Sequence, residues 1–211
     1  MQLIGKLDSP YVRRVAIALA VLDLPFERRD VSVFRDYDAF AKINPVVKAP
    51  TLFEDDGTML LDSTLILDYL DQKVDPARRL MPQDIATRLR ALQVIGLALA
   101  ATEKVMQIVY ERNLRPAERQ HEPWIDRVTT QMHAAFHALD TQLGTLIGNR
   151  DAHDAWLLGD RLMLPDITVA VTWFFTHDLL PGAIDPADYP SIAAFAARAE
   201  TLPAFAKCVP A

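Results

Sequence analysis

Cysteine is almost missing from this chain. Cys208 is the single one in 211 residues. That excludes an intrachain disulfide, a CxxC redox pair and a cysteine-built metal centre, and it suits a reducing compartment. A basic excess is missing too. Lys and Arg number 22 against 28 Asp and Glu, giving a net charge of −6, so the positive face that a nucleic-acid binder displays is not expected. Long apolar runs are scarce. The longest, Ala91 to Ala101, is broken by Gln93 and is too short to span a bilayer. The opening Met1-Gln2-Leu3-Ile4-Gly5-Lys6 lacks the apolar stretch of a signal peptide. The expectations are a cytoplasmic protein with no membrane and no nucleic-acid partner. Neither an internal repeat nor a low-complexity segment is visible. What is present is a core-forming composition, 51% apolar and 24% charged.

The first part of the chain alternates in character. Gln2–Gly5 reads as a strand. Pro10 to Leu22 carries Val12, Val15, Ala16 and Leu19 at helical spacing, with Arg13 and Arg14 facing away. Pro10 suits a first helical position. Phe26 to Val33 reads as a second strand and Asp36 to Ile43 as a short helix. Thr51–Glu54 and Met59–Leu61 flank Asp56-Gly57, a hairpin signal. Ser63 to Val74 is helical. The order βαβαββα predicts a four-stranded mixed sheet with a right-handed crossover, an α/β thioredoxin-like domain over 1–75. The polar, proline-bearing stretch Asp75–Pro82 breaks the periodicity and sets a linker over 76–84. Beyond it, Ala86–Arg112, Trp124–Ile147, Pro165–His177 and Ser191–Thr201 all have helical patterns. The reading is an all-α helical bundle over 85–211.

Several local patterns bear on chemistry. Ser9, in Asp8-Ser9-Pro10-Tyr11, sits where it caps the first helix; its hydroxyl is also placed to face a ligand at the positive helix end. In Asn44-Pro45-Val46-Val47-Lys48-Ala49-Pro50-Thr51-Leu52, Pro50 precedes a strand. A trans loop proline is the common case, whereas a cis bond would leave the backbone of Ala49 open to an extended peptide. In Leu61-Asp62-Ser63-Thr64, the start of a helix serves either as a plain cap or as a carboxylate site. Asp166, in Gly159 to Asp166, is set to reach back to the cap of its helix. Of the histidines His121, His133, His137, His153 and His177, His133 and His137 lie four apart. Without a third ligand or an HExxH pattern they read as solvent-facing, and no metal is expected. Trp124, Trp156 and Trp173 suit helix packing.

Taken in order, Ser9-Pro10-Tyr11-Val12-Arg13, Asn44 to Leu52, Leu61-Asp62-Ser63 and Gly159 to Asp166 resemble the glutathione S-transferase superfamily, over nearly the whole chain. The likeness is to bacterial members with serine in the first motif. It implies glutathione as co-substrate, with Ser9 stabilising the thiolate and a cis Pro50. Ala49 would pair with the cysteinyl backbone, Asp62 and Ser63 would hold the γ-glutamyl ammonium and carboxylate, and Lys48 would lie beside the tripeptide. Met106 and Tyr110 are implied on the side of a small hydrophobic electrophile, and a homodimer is the family's habit. Two departures stand out: Asp62 where many members have Glu, and Met163 where the capping box begins with Ser or Thr. Serine in place of cysteine in the first motif favours conjugation, isomerisation, peroxide reduction or dehalogenation over thiol exchange. A non-catalytic binding or regulatory protein on this fold is the alternative, and a thiol oxidoreductase is disfavoured by the distant Cys208.

Overall fold

The computed structural model describes residues 1–148 and 155–210; His153 lies outside them. The chain forms two compact units. One joins Met1–Met81 to Thr201–Ala211, and the other spans Pro82–Glu200.

The first unit holds β1 (Gln2–Ile4), α1 (Pro10–Val21), β2 (Glu27–Arg29), α2 (Tyr37–Ile43), β3 (Thr51–Phe53), β4 (Met59–Leu61), α3 (Ser63–Gln72) and the chain-terminal α8 (Pro203–Ala206). The sheet order is β2-β1-β3-β4. β1 and β2 are parallel, and the other two pairings are antiparallel. This is the expected mixed, thioredoxin-like sheet. One row of the register matters most: Ile4 lies opposite Thr51, which lies opposite Leu61. The segments leaving or entering at that row are 5–9, 49–50 and 62–63, so three patterns far apart in sequence share one end of the sheet. β2 is shorter than the pattern over Phe26 to Val33 suggested. It is an exposed edge strand of sequence Glu-Arg-Arg, and charged edges of this kind resist pairing with other chains.

α1 starts where serine and proline start helices well, and its Val12, Val15, Ala16 and Leu19 are buried. The expectation for the arginines fails. Arg13 and Arg14 are 2% and 1% exposed. The reason is that α1 is covered on more than its sheet side, by α3 and by α8. Arg13 Nε donates to the Cys208 carbonyl at 2.8 Å, and its guanidinium stands 5.9 Å from the Phe205 ring centroid. The end of the chain therefore packs with the first unit, and the helical domain expected over 85–211 ends, in packing, at Glu200. Cys208 itself is buried, and burial pushes its thiol pKa up.

The second unit holds α4 (Ile85–Leu114), α5 (Glu122–Ile147), α6 (Leu164–Leu179) and α7 (Pro190–Glu200). α4 packs on α5 and α6, and α7 packs on α5 and α6. α4 far outruns the apolar stretch Ala91–Ala101. By length and composition alone it would pass for a membrane span, but here it packs along α5 and α6. The stripe Ile125, Val128, Met132, Phe136, Leu139, Leu143 is buried, as its spacing requires. Within the core, Thr102 and Thr172 join α4 to α6 through a 2.9 Å hydrogen bond. Asp166 is fully buried. Its two oxygens accept the Met163 N–H at 2.8 Å and the Leu157 N–H at 2.9 Å. Burial pushes its pKa up to about 7, against the pull of those N–H groups and of Arg198. His133 is not simply solvent-facing: its Nδ1 lies 2.7 Å from the Tyr189 hydroxyl, and the His137 ring leans on the same tyrosine.

Candidate functional site

The shared end of the sheet is built from glycine upward. β1 leaves the sheet through Gly5 at φ 133, a conformation that side chains rarely adopt. A Cβ there would stand 2.7 Å from Val12 Cγ2 and 3.0 Å from the Ala49 Cβ. Only a residue without one lets the Ala49 loop close this tightly on the start of α1. Ser9 follows, half-exposed, with its Oγ accepting the Val12 N–H at 3.4 Å. In that bond the oxygen is an acceptor, so the hydroxyl proton is left to be given elsewhere.

The Ala49–Pro50 peptide bond is cis. Asn44 holds the loop that carries it. This side chain is fully buried; its Nδ2 donates to Thr51 Oγ1 at 2.9 Å, and its Oδ1 accepts the Val46 N–H at 3.0 Å. Thr51 Oγ1 in turn donates to the Lys48 carbonyl at 2.7 Å. Residue spacing alone does not mark Asn44 as a positioning residue. Its signal was an amide directly before Pro45, since Asn favours turns by bonding backbone two residues on.

Asp62 enters α3 at φ 70, and its Oδ1 accepts the Thr64 N–H at 2.9 Å. Its Oδ2 lies 3.6 Å from Lys48 Nζ, both side chains being about half-exposed. The carboxylate thus caps the helix and faces a cation at once. Ser63 is 3% exposed, and its Oγ accepts from Arg14 Nη1 at 3.3 Å. Arg14, which helical spacing alone sets on the outer face of α1, thus reaches the start of α3 from a buried position. Ser9, Lys48, Ala49, Pro50, Asp62 and Ser63 all belong to the first unit. Met106 and Tyr110 do not; they stand on α4 in the second. Tyr110 is 41% exposed and lines an open groove with Gln107, Glu111, Leu114, Arg115 and Trp124, and burial pushes its hydroxyl pKa up. Met106 is half-buried and is not part of that groove's wall. Among the described residues no group of three His, Cys, Asp or Glu could hold a metal.

A family model for the glutathione S-transferase N-terminal domain matches residues 3–78, and one for the glutathione S-transferase C-terminal domain matches residues 122–198. The chain belongs to the glutathione S-transferase superfamily. This transferase is 31% identical to human glutathione S-transferase theta-1 over 177 residues, covering 82% of this chain and 71% of the human protein. It is 28% identical to a probable maleylacetoacetate isomerase of Vibrio cholerae, over 99% of this chain and 94% of the relative. A crystal structure of a glutathione S-transferase from Methylobacterium radiotolerans, in complex with glutathione sulfonate, superposes with a TM-score of 0.85 at 30% identity, covering 99% and 94% of the two chains. As a glutathione S-transferase, the chain takes glutathione as its co-substrate.

Proposed function

We propose that the sheet end at Ile4, Thr51 and Leu61 is where this transferase binds glutathione and activates its thiol. The observation that carries the reading is the register that gathers Ser9, Ala49–Pro50 and Asp62–Ser63 at one place. Ala49 offers backbone N–H and C=O groups to the cysteinyl unit. Ser63 and the first N–H groups of α3 receive the γ-glutamyl carboxylate, Asp62 faces the ammonium, and Lys48 lies beside the tripeptide.

Ser9 supplies the chemistry by donating a hydrogen bond; it need not act as a base. A free thiol titrates near pKa ~8.5, so only about 3% is thiolate at pH 7. Lowering that pKa by about 2 units requires about 2.7 kcal/mol of preference for the anion. A hydroxyl bonded to a charged sulfur contributes roughly 1.5–3 kcal/mol. The N-terminus of α1 adds roughly 0.3–1 kcal/mol. Together these suffice, with desolvation of the sulfur working against them. The thiolate then attacks a small hydrophobic electrophile, with Met106 and Tyr110 contributing to that substrate's site. The exposed groove beside Tyr110 supports this assignment for the tyrosine.

Isomerisation is the second reading, favoured by the full-length similarity to a probable maleylacetoacetate isomerase. Product analysis separates the two, because conjugation consumes glutathione and isomerisation returns it. The protein acts in the cytoplasm as a homodimer. The apolar stripe Ile85, Leu89 and Leu92 on α4, each at least half-exposed, supports self-association. The decisive test is Ser9→Ala with a general electrophile. Turnover should fall at least tenfold while glutathione affinity stays within about threefold; unchanged turnover removes Ser9 from the mechanism.

A further inference from the structure

Arg14 lies on α1 beneath the start of α3 and is 1% exposed. Its Nη1 donates to Ser63 Oγ at 3.3 Å and, at the limit of bonding distance, to Thr64 Oγ1 at 3.5 Å. Its Nε and Nη2 are buried and have no hydrogen-bond partner. Two hydroxyls are thus its only hydrogen-bond partners among the described residues. Burial pulls the guanidinium down to about 10, while Asp62 and Tyr11 act in the opposite sense; it is a cation at neutral pH. Asp62 attracts it without an ion-pair contact, so burial of the cation is only partly offset, and an apolar side chain of similar size in its place is often neutral or stabilising. Stability alone therefore gives this arginine no reason to be here.

Its chemistry gives one. A guanidinium can only donate, so in its bond to Arg14 the Ser63 oxygen is the acceptor and its own proton must go to another group. We infer that Arg14 is a positioning residue of the glutathione site, fixing the Ser63 hydroxyl as a donor to the γ-glutamyl carboxylate and placing a positive charge behind it. This rests on the proposed role of Ser63. The same logic holds at Thr64, where the hydroxyl also accepts from Arg14. The arrangement selects a ligand group that only accepts hydrogen bonds and carries negative charge, which a carboxylate does and a carboxamide does not.

The test compares Arg14→Met, Arg14→Lys, Ser63→Ala and the Arg14→Met/Ser63→Ala pair. Two ligands are titrated by calorimetry: glutathione, and glutathione with its γ-glutamyl α-carboxylate amidated. Arg14→Met should melt at or above the native temperature and bind glutathione about tenfold more weakly, with kcat at saturating glutathione within twofold of native. Arg14→Lys, which keeps a charged donor, should recover most of the affinity. The double variant should lose less than the product of the two single losses, because Arg14 acts in part through Ser63. The amidated ligand should bind native and Arg14→Met alike. Arg14→Met binding within twofold of native, while Ser63→Ala loses tenfold, would overturn the role of Arg14 and leave the site intact. Undiminished binding by Ser63→Ala would instead sink the site assignment, and the inference with it. Should Arg14→Met not fold, Arg14→Gln carries the comparison. It should lose about threefold for glutathione and nothing for the amidated ligand, and an equal loss for both overturns the inference.

Discussion

Replacing Asp62 by asparagine separates two tasks that one side chain performs. The residue sits at φ 70, a conformation that asparagine tolerates. Its Oδ1 accepts the Thr64 N–H at 2.9 Å, and the asparagine oxygen can do the same. What the variant loses is the charge facing Lys48 at 3.6 Å and, in the complex, the glutathione ammonium. The Asp62 side chain is 46% exposed, so solvent screens both interactions. The full value of a charged hydrogen bond does not apply, and a surface-pair scale of about 1 kcal/mol does. That corresponds to about a fivefold rise in Kd. Fold stability should move by less than about 0.5 kcal/mol, since the cap is kept; Asp62→Ala, which loses the cap, should cost about 1 kcal/mol. Calorimetric titration with glutathione at low and high salt is the assay, with N-acetylated glutathione as the control ligand. The native advantage should shrink at high salt and vanish for the acetylated ligand. Native affinity in the asparagine variant at low salt would refute the ammonium contact. An equal loss for both ligands would show that the change acts through structure and not charge.

Asp166 has a folded pKa of about 7, raised above its unfolded value of ~3.9. Between about pH 4 and 7 the folded state therefore binds more protons than the unfolded state, and stability falls as pH rises through that window. From pH 5 to pH 8 the native protein should lose about 2–3 kcal/mol relative to Asp166→Asn, read by urea unfolding at each pH; parallel curves would show that the two N–H bonds keep the carboxylate ionised. On α4, Leu89→Glu should shift the protein from dimer to monomer in light scattering at micromolar concentration. A native protein that is already monomeric there would reject the stripe as a subunit interface.

Local patterns were legible because their physics is local. The α5 stripe is buried at the positions its spacing names, and Ser9 and Pro10 start α1 as their chemistry requires. The hairpin over Asp56-Gly57 likewise joins β3 to β4. What the sequence hid depends on partners far along the chain. Arg13 and Arg14 read as an outward face because their neighbours on α1 are apolar, yet their partners are Cys208 and Ser63. No period within one helix reveals that α8 returns to cover it. Asn44 was hidden for the same kind of reason: its buried contacts are fixed only when Thr51 enters the sheet beside it. Spacing shows the site motifs only singly and the family resemblance groups them, but the geometry of their convergence follows from the pairing of Ile4, Thr51 and Leu61, which is a property of the folded sheet.

The central claim is that the hydroxyl of Ser9 holds glutathione as an anion at the start of α1. The direct measurement is a titration of the thiolate absorbance of bound glutathione against pH, with native protein and with Ser9→Ala. The native complex should titrate near pKa ~6.5 and the alanine complex about 1–2 units higher. A native complex that titrates near the free thiol value, or an alanine complex that titrates with the native one, would contradict the account.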